Sequence, residues 1–179
     1  MIEHGGSVME FMEVVRERRS VRAYQDRDVP SDKLERVLDA ARLAPSASNR
    51  QMWRFIVVRD PDRRRLLAEA ANGQSFVAQA PVVIAGVALR TGHVMSCEVP
   101  SYAVDLAIAM EHIALAAASE GLGTCWIGAF SQPRAREILG VPDQYKIVAL
   151  MPLGYPADDP RPKVRRPLDE IVLYERFSE

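Results

Sequence analysis

The chain has 179 residues, 48% hydrophobic and 26% charged, proportions of a soluble globular protein that speak against disorder and against residence in a membrane. Its 23 Lys and Arg against 24 Asp and Glu leave a formal charge of -1, so general attraction to nucleic acid or acidic lipid is excluded and anion recognition must come from local clusters of Lys and Arg. The length fits one domain, since a single core usually holds roughly 100 to 200 residues.

Taken in chain order, Val8 to Glu17 carries apolar residues at helical spacing (Val8, Phe11, Met12, Val15), and the basic segment Arg18-Arg19-Ser20-Val21-Arg22 follows at its end. Ser31 is a good N-cap for a second helix through Leu34, Val37, Leu38 and Ala41 that stops before Pro45. The Pro45 to Gln51 loop leads into an aromatic and β-branched strand, Trp53 to Arg59, and Pro61 opens a helix over Asp62 to Ala71. Pro81 to Ala88 is nearly all apolar, as in a strand covered on both faces. Pro100 to Glu120 reads as a long buried helix, with Gly121 and Gly123 at its end. Tyr102 to Ala118, the longest apolar stretch, holds Asp105, Glu111 and His112, and charges in hydrocarbon are costly, so no transmembrane segment is expected. Thr124 to Gly128 reads as a strand, Ser131 caps a helix ending near Gly140, and Tyr145 to Leu153 is a last apolar strand. A proline-rich basic tail runs from Pro156 to Pro167. Beyond it, Leu168, Ile171, Val172, Leu173 and Phe177 need an apolar cover, from a second subunit or from the chain's own core. Helices mixed with four or so strands make an α+β or α/β sandwich.

Three stretches carry chemistry. Arg18, Arg19, Ser20 and Arg22 place three guanidinium groups and a hydroxyl within five residues, a set suited to phosphate, although cations at a helix C-terminus also complement its dipole. Pro45-Ser46-Ala47-Ser48-Asn49-Arg50-Gln51 offers amide donors and acceptors that match a heterocycle edge, or an ordinary polar turn. Lys163 and Arg165 form a second basic pair in the tail. His4, His93 and His112 are widely spaced and Cys97 and Cys125 form no C-x-x-C pair, so no metal is expected. His112 fits a hydrogen-bonded core or interface role, and Arg63-Arg64-Arg65 a solvated helix face. No P-loop, nucleophile elbow or G-x-G-x-x-G is present. Two cysteines and an N-terminus unlike a signal peptide point to a reduced, cytoplasmic setting.

With these residues in order, the chain resembles the nitroreductase family of FMN-dependent oxidoreductases: R-R-S-x-R-x-aromatic ending at Tyr24, P-S-x-x-N-x-Q-x-W ending at Trp53, Gly121-Leu122-Gly123-Thr124-Cys125-Trp126-Ile127-Gly128, and Lys163-x-Arg165. Met52 departs from the proline common in the family before that tryptophan. The resemblance implies a single FMN-binding domain over 1-179. Its expected architecture is α+β, a three-layer α/β/α sandwich with a mixed, mostly antiparallel sheet, and a C-terminal arm from about 156 wraps the partner of an intertwined homodimer. It implies NAD(P)H as electron donor and a nitroaromatic, quinone or similar small molecule as acceptor in a ping-pong scheme, with the chemistry carried by FMN and no catalytic side chain. Carried over, Arg18, Ser20, Lys163 and Arg165 hold the FMN phosphate and ribityl end, with Arg19 in the same segment. Arg22 lies near the N1 and O2 edge, where a cation favours the reduced flavin. Pro45, Ser46, Ala47, Asn49 and Gln51 come from the partner subunit in FMN sites at the interface. Gln74 approaches the pyrimidine side beside Asn72 and Ser75, and Ile127 and Gly128 are main-chain donors near N5 and O4, glycine letting backbone approach a planar ring. Phe76 and the loop from Arg90 to Tyr102 would line the acceptor pocket. A flavin store or redox sensor without NAD(P)H turnover, or a specialised member such as a reductive dehalogenase, is the alternative.

Overall fold

Two-residue alternation in the central strands, shifted once by a bulge where Gly86 pairs with Ala149 and Val87 with Ile147, decides the layers. In the computed structural model, which describes residues 10-160 and 163-177, four strands form one sheet in the order β1-β2-β4-β3: β1 (Trp53–Val58), β2 (Val82–Ala88), β3 (Gly123–Thr124) and β4 (Lys146–Gly154). All three pairings are antiparallel, and a bridge between Ser20 and Thr124 adds one parallel contact on the outer side of β3. Val83, Ala85 and Val87 of β2, with Ile147 and Leu150 of β4, face a core closed by α3 (Pro61–Ala70), α4 (Phe76–Gln79) and α6 (Gln132–Leu139). Val82 and Ile84, with Ala149, Met151 and Leu153, face the opposite core under α2 (Ser31–Arg42) and α5 (Ser101–Ser119). The result is the expected three-layer α+β sandwich. Each large side chain withdrawn completely from water here contributes about 1.5 to 3 kcal/mol.

Several element ends differ from expectation for local reasons. Pro30 is the residue before α2 and Ser31 its first turn, with no side-chain cap, whereas Asp60 caps α3 by accepting the Arg63 N–H at 2.8 Å. The ladder expected over Thr124 to Gly128 closes after Thr124, and the chain rejoins β4 only at the Ile127 to Leu150 bridge. Four-residue α4 is too short to leave a periodic signal. Val8 lies outside the described residues. In α1 (Phe11–Glu17) Val14 is the buried residue, while Phe11, Met12 and Val15 point outward, so the apolar row read from the sequence is not the one this chain covers. Among the described residues α5 is the one helix long and apolar enough to cross a membrane, and Leu106, Met110, Ile113 and Ala117 bury one side of it against the sheet and α2.

The tail divides in two. Its first part docks on its own chain: Ala157 N–H donates to Ala23 O at 2.9 Å, Gln25 Nε2 to Pro156 O at 2.8 Å, and Tyr24 bridges to Pro156. Beyond it, α7 (Leu168–Ile171) and the residues that follow stand uncovered, with Leu168 71% and Phe177 81% exposed.

Candidate functional site

The basic segments meet. Arg18, Arg19, Ser20 and Arg22 leave the end of α1, and Lys163 and Arg165 return from the tail, to line one cleft of about 330 Å³. Close approach makes this possible: Gly123 lies so near Val21 that an added Cβ would collide with the Val21 side chain, so glycine here lets the Arg18 to Arg22 segment lie on β3. Val21 N–H then donates to Thr124 O at 2.8 Å. Asp158 joins the two halves. Its Oδ1 forms an ion pair with Arg19 Nη2 at 2.8 Å, its carbonyl accepts from the same nitrogen at 2.7 Å, and its Oδ2 accepts the Arg22 N–H at 3.2 Å. The Arg19 guanidinium holds the Asp158 carboxyl below the usual carboxylate range. Lys163 is shifted the other way from a paired lysine: partial burial and the nearby Arg18 lower it below its ordinary value.

The Pro45 to Gln51 loop is not an ordinary turn. Ser48, Asn49 and Gln51 all have φ between 51° and 53°, in the left-handed region where non-glycine residues are uncommon. Such strain persists only where neighbours over-determine it. Here Ala47 N–H donates to Asp105 Oδ1 at 2.9 Å, Gln51 N–H to Ser46 Oγ at 3.0 Å, and Gln51 Nε2 to Asn49 Oδ1 at 3.0 Å. The loop therefore hangs from the N-terminal end of α5, while the basic cleft lies further along the helix, where Arg18 Nε approaches Glu111 at 3.7 Å. Pro45, Ser46, Ala47, Asn49 and Gln51 are thus gathered with each other but not with the phosphate-type residues of the same chain.

A third piece extends from β3. Thr124 to Gly128 would span roughly 13 Å if fully extended, so the segment can run from the basic cleft toward Gln74. Gln74 Nε2 donates to Ala71 O at 2.9 Å and reaches Ala129 O at 3.5 Å, and Asn72 Nδ2 reaches the same carbonyl at 3.5 Å. Nothing in the chain itself demands glycine at 128: an added Cβ would find Trp126 Nε1 at 3.9 Å, an ordinary contact. Between Thr124 and Gly128 sits the buried Cys125, whose thiol is raised by burial.

The Nitroreductase family profile matches residues 15–92 and 73–155. The chain belongs to the nitroreductase family. Among relatives of this nitroreductase-family chain, the NADH dehydrogenase of Thermus thermophilus is 36% identical over 188 residues, which cover 88% of this chain and 92% of that protein. The FMN reductase [NAD(P)H] of Bacillus subtilis is 31% identical, with 94% and 74% covered. The solved NADPH:FMN oxidoreductase of Vibrio harveyi, complexed with NAD+, superposes with a TM-score of 0.86 at 26% identity, covering 94% of this chain and 78% of that one.

Against the family pattern, the nitroreductase-family chain corrects three readings. Ile127 is not a free main-chain donor: its N–H donates to Leu150 O at 2.9 Å and its side chain is buried. The N–H groups of Gly128 and Ala129, like that of Trp126, make no hydrogen bond among the described residues, and Ala129 had no signal in the sequence because any side chain can present a backbone amide. Phe76 belongs to the core beneath α3 rather than to an acceptor pocket, since a buried aromatic at the start of α4 fills the sheet face. Arg64 leaves the solvated row of Arg63 and Arg65 to donate to the Ala78 and Ala80 carbonyls that end α4. Arg19 enters the cleft already paired with Asp158. His112 accords with its reading, its Nδ1 lying 3.0 Å from Ala40 O. The residues that sequence reasoning missed are Asp105 and Asp158, two carboxylates that hold the site's loops.

Proposed function

We propose that this chain is an FMN-dependent NAD(P)H oxidoreductase that reduces a small acceptor, a nitroaromatic or quinone, in a ping-pong scheme. The observation that carries the reading is the convergence of Arg18, Ser20 and Arg22 with Lys163 and Arg165, from opposite ends of the chain, on one cleft. That donor set fits a phosphate monoester: guanidinium groups take its oxygens in pairs and a hydroxyl adds a short bond. When bound, FMN supplies two-electron transfer between the nicotinamide and the acceptor.

The protein's part is to bind and orient. Arg18, Ser20, Lys163 and Arg165 fix the phosphate end, and Arg22 sets a permanent positive charge toward the ring. The Gly128 and Ala129 N–H groups present fixed dipoles to the ring's far edge beside Gln74, and such donors stabilise charge without reorganising. Pro45, Ser46, Ala47, Asn49 and Gln51 complete the site of a second subunit. The outward rows of α1 (Phe11, Met12, Val15), together with Leu168, Ile171 and Phe177 of the arm, support a homodimer because they are large, apolar and uncovered in one chain.

Purified protein is expected to be yellow and to bleach anaerobically on adding NADH or NADPH, with colour returning when a quinone or nitroaromatic is added. A colourless protein that FMN cannot reconstitute overturns the reading, and a yellow one that neither nucleotide bleaches favours a flavin store.

A further inference from the structure

A large aromatic side chain stands outside the core on the segment that leaves β3. Cys125 and Ile127 are buried there, whereas Trp126 and Gly128, followed by Ala129, face solvent. The chain has two tryptophans, and they differ sharply: Trp53 is 7% exposed and packs in the core, while Trp126 is 41% exposed. Its neighbours fix where it stands. The bridge from Ile127 to Leu150 pins the next residue to β4. A Cβ added to Gly128 would lie 3.9 Å from Trp126 Nε1, so the indole leans along the segment toward Gly128. With no side chain at Gly128 and only a methyl at Ala129, the indole is the one large group on this outward side. On the near side, Ser20 pairs in parallel with Thr124, which carries Arg22 past the same residues. Burial raises the Cys125 thiol and the charge of Arg22 partly offsets it, which sets Arg22 close to the residue before Trp126. The indole thus has the basic cleft at one end and the unpaired Gly128 and Ala129 N–H groups at the other.

We infer that the Trp126 indole is the surface against which one face of the flavin ring lies, leaving the opposite face to the hydride donor and the acceptor. The inference rests on the FMN reading, which anchors the phosphate among Arg18, Ser20, Lys163 and Arg165 and the ring edge at the Gly128 and Ala129 amides. Trp126 lies between those two anchors, on the outward side of the segment that joins them. The stack also accounts for the glycine at 128. The chain itself leaves room for a Cβ there, but a side chain would rise beside the indole into the space of the ring. Two flat rings in contact gain from dispersion and from water released between them, a gain of about 10-fold or more in affinity. The stack has an electronic side as well. The face of an indole is negative, so it favours the oxidised ring over the electron-rich reduced one and acts against Arg22, whose charge favours reduction.

The test compares FMN-loaded wild type with Trp126→Phe and Trp126→Leu, the last keeping apolar bulk without an aromatic face. Wild type should hold its flavin dark, because an indole in contact quenches the excited ring by electron transfer. Trp126→Leu should bind FMN about 10-fold more weakly, emit several-fold more strongly once saturated with FMN, and show a higher flavin reduction potential. Trp126→Phe should recover part of the affinity but not the quenching, since a phenyl ring yields an electron far less readily. Equal emission and equal affinity in wild type and Trp126→Leu overturn the stack. So does a Trp126→Leu protein that falls to monomers in sedimentation while its bound flavin stays dark, an outcome that sets the indole against a second subunit instead. Wild type that takes up no FMN overturns the flavin reading and this inference with it, whereas FMN uptake with emission unchanged by Trp126→Leu removes the stack alone.

Discussion

Arg18 and Arg165 approach the basic cleft from residues far apart in sequence, and neither is tied up by a close carboxylate: Arg18 has Glu111 only at 3.7 Å, and Arg165 Nη1 donates to the neighbouring Val164 carbonyl. Arg18→Ala and Arg165→Ala are each expected to weaken FMN binding by about 1.5 to 3 kcal/mol, read by fluorescence titration of apoprotein. Arg19→Ala should behave differently, disturbing the docked tail more than the phosphate, because its guanidinium is engaged by Asp158. The Asp158 pairing also has a pH signature. Its carboxyl is held below the ordinary value in the folded protein, so its stabilisation is present above the unfolded value of about 4 and is lost as pH falls below that, through the lower folded value. Wild type should therefore melt above Asp158→Asn near neutral pH, and the gap should close on acidification below about pH 4, as followed by thermal unfolding at stepped pH. The basic residues were legible in the sequence because charge is a property of the residue itself. Their counter-ion was not, since nothing in Asp158 distinguishes it locally from the adjacent Asp159.

Secondary elements were read from periodicity wherever they were long enough to have one: β2, α5 and β4 stand within a residue or two of expectation. The Pro45 to Gln51 loop shows the limit of that approach. Composition marked it as polar and turn-like, but its left-handed residues and their anchor on Asp105 depend on a helix 58 positions away. Asp105→Ala removes the acceptor of the Ala47 N–H and should destabilise the protein by about 1 to 3 kcal/mol in denaturant unfolding, while Asp105→Asn, which keeps an oxygen there, should lose less. FMN affinity should fall alongside if the loop serves a partner's site. Equal stability of Asp105→Ala and wild type would mean the loop holds its shape without the anchor.

At the scale of the whole molecule, the uncovered rows on α1 and the arm give the clearest expectation. Sedimentation should find a dimer whose dissociation accompanies loss of flavin, whereas a monomer with full flavin content would contradict a site shared between chains. A chain ending after Ala157 lacks Asp158, Lys163 and Arg165 together, and should lose FMN binding and assembly while the four-strand sheet, complete by Gly154, still folds. The sheet and its two helical covers could be anticipated from one chain's sequence because they satisfy themselves. The arm could be anticipated only as a need for cover, since nothing among the described residues of the same chain answers it. The link between Arg22 and Asp158 joins residues 136 positions apart, and Arg19 reaches 139 positions to the same aspartate. During synthesis the first half of the basic cleft emerges long before the second, and contacts of such separation form late. The four strands are complete by Gly154, so the hydrophobic layers can form before Lys163 and Arg165 arrive to close the basic cleft, and a chain halted between those points would be folded yet lack half of its positive charge there.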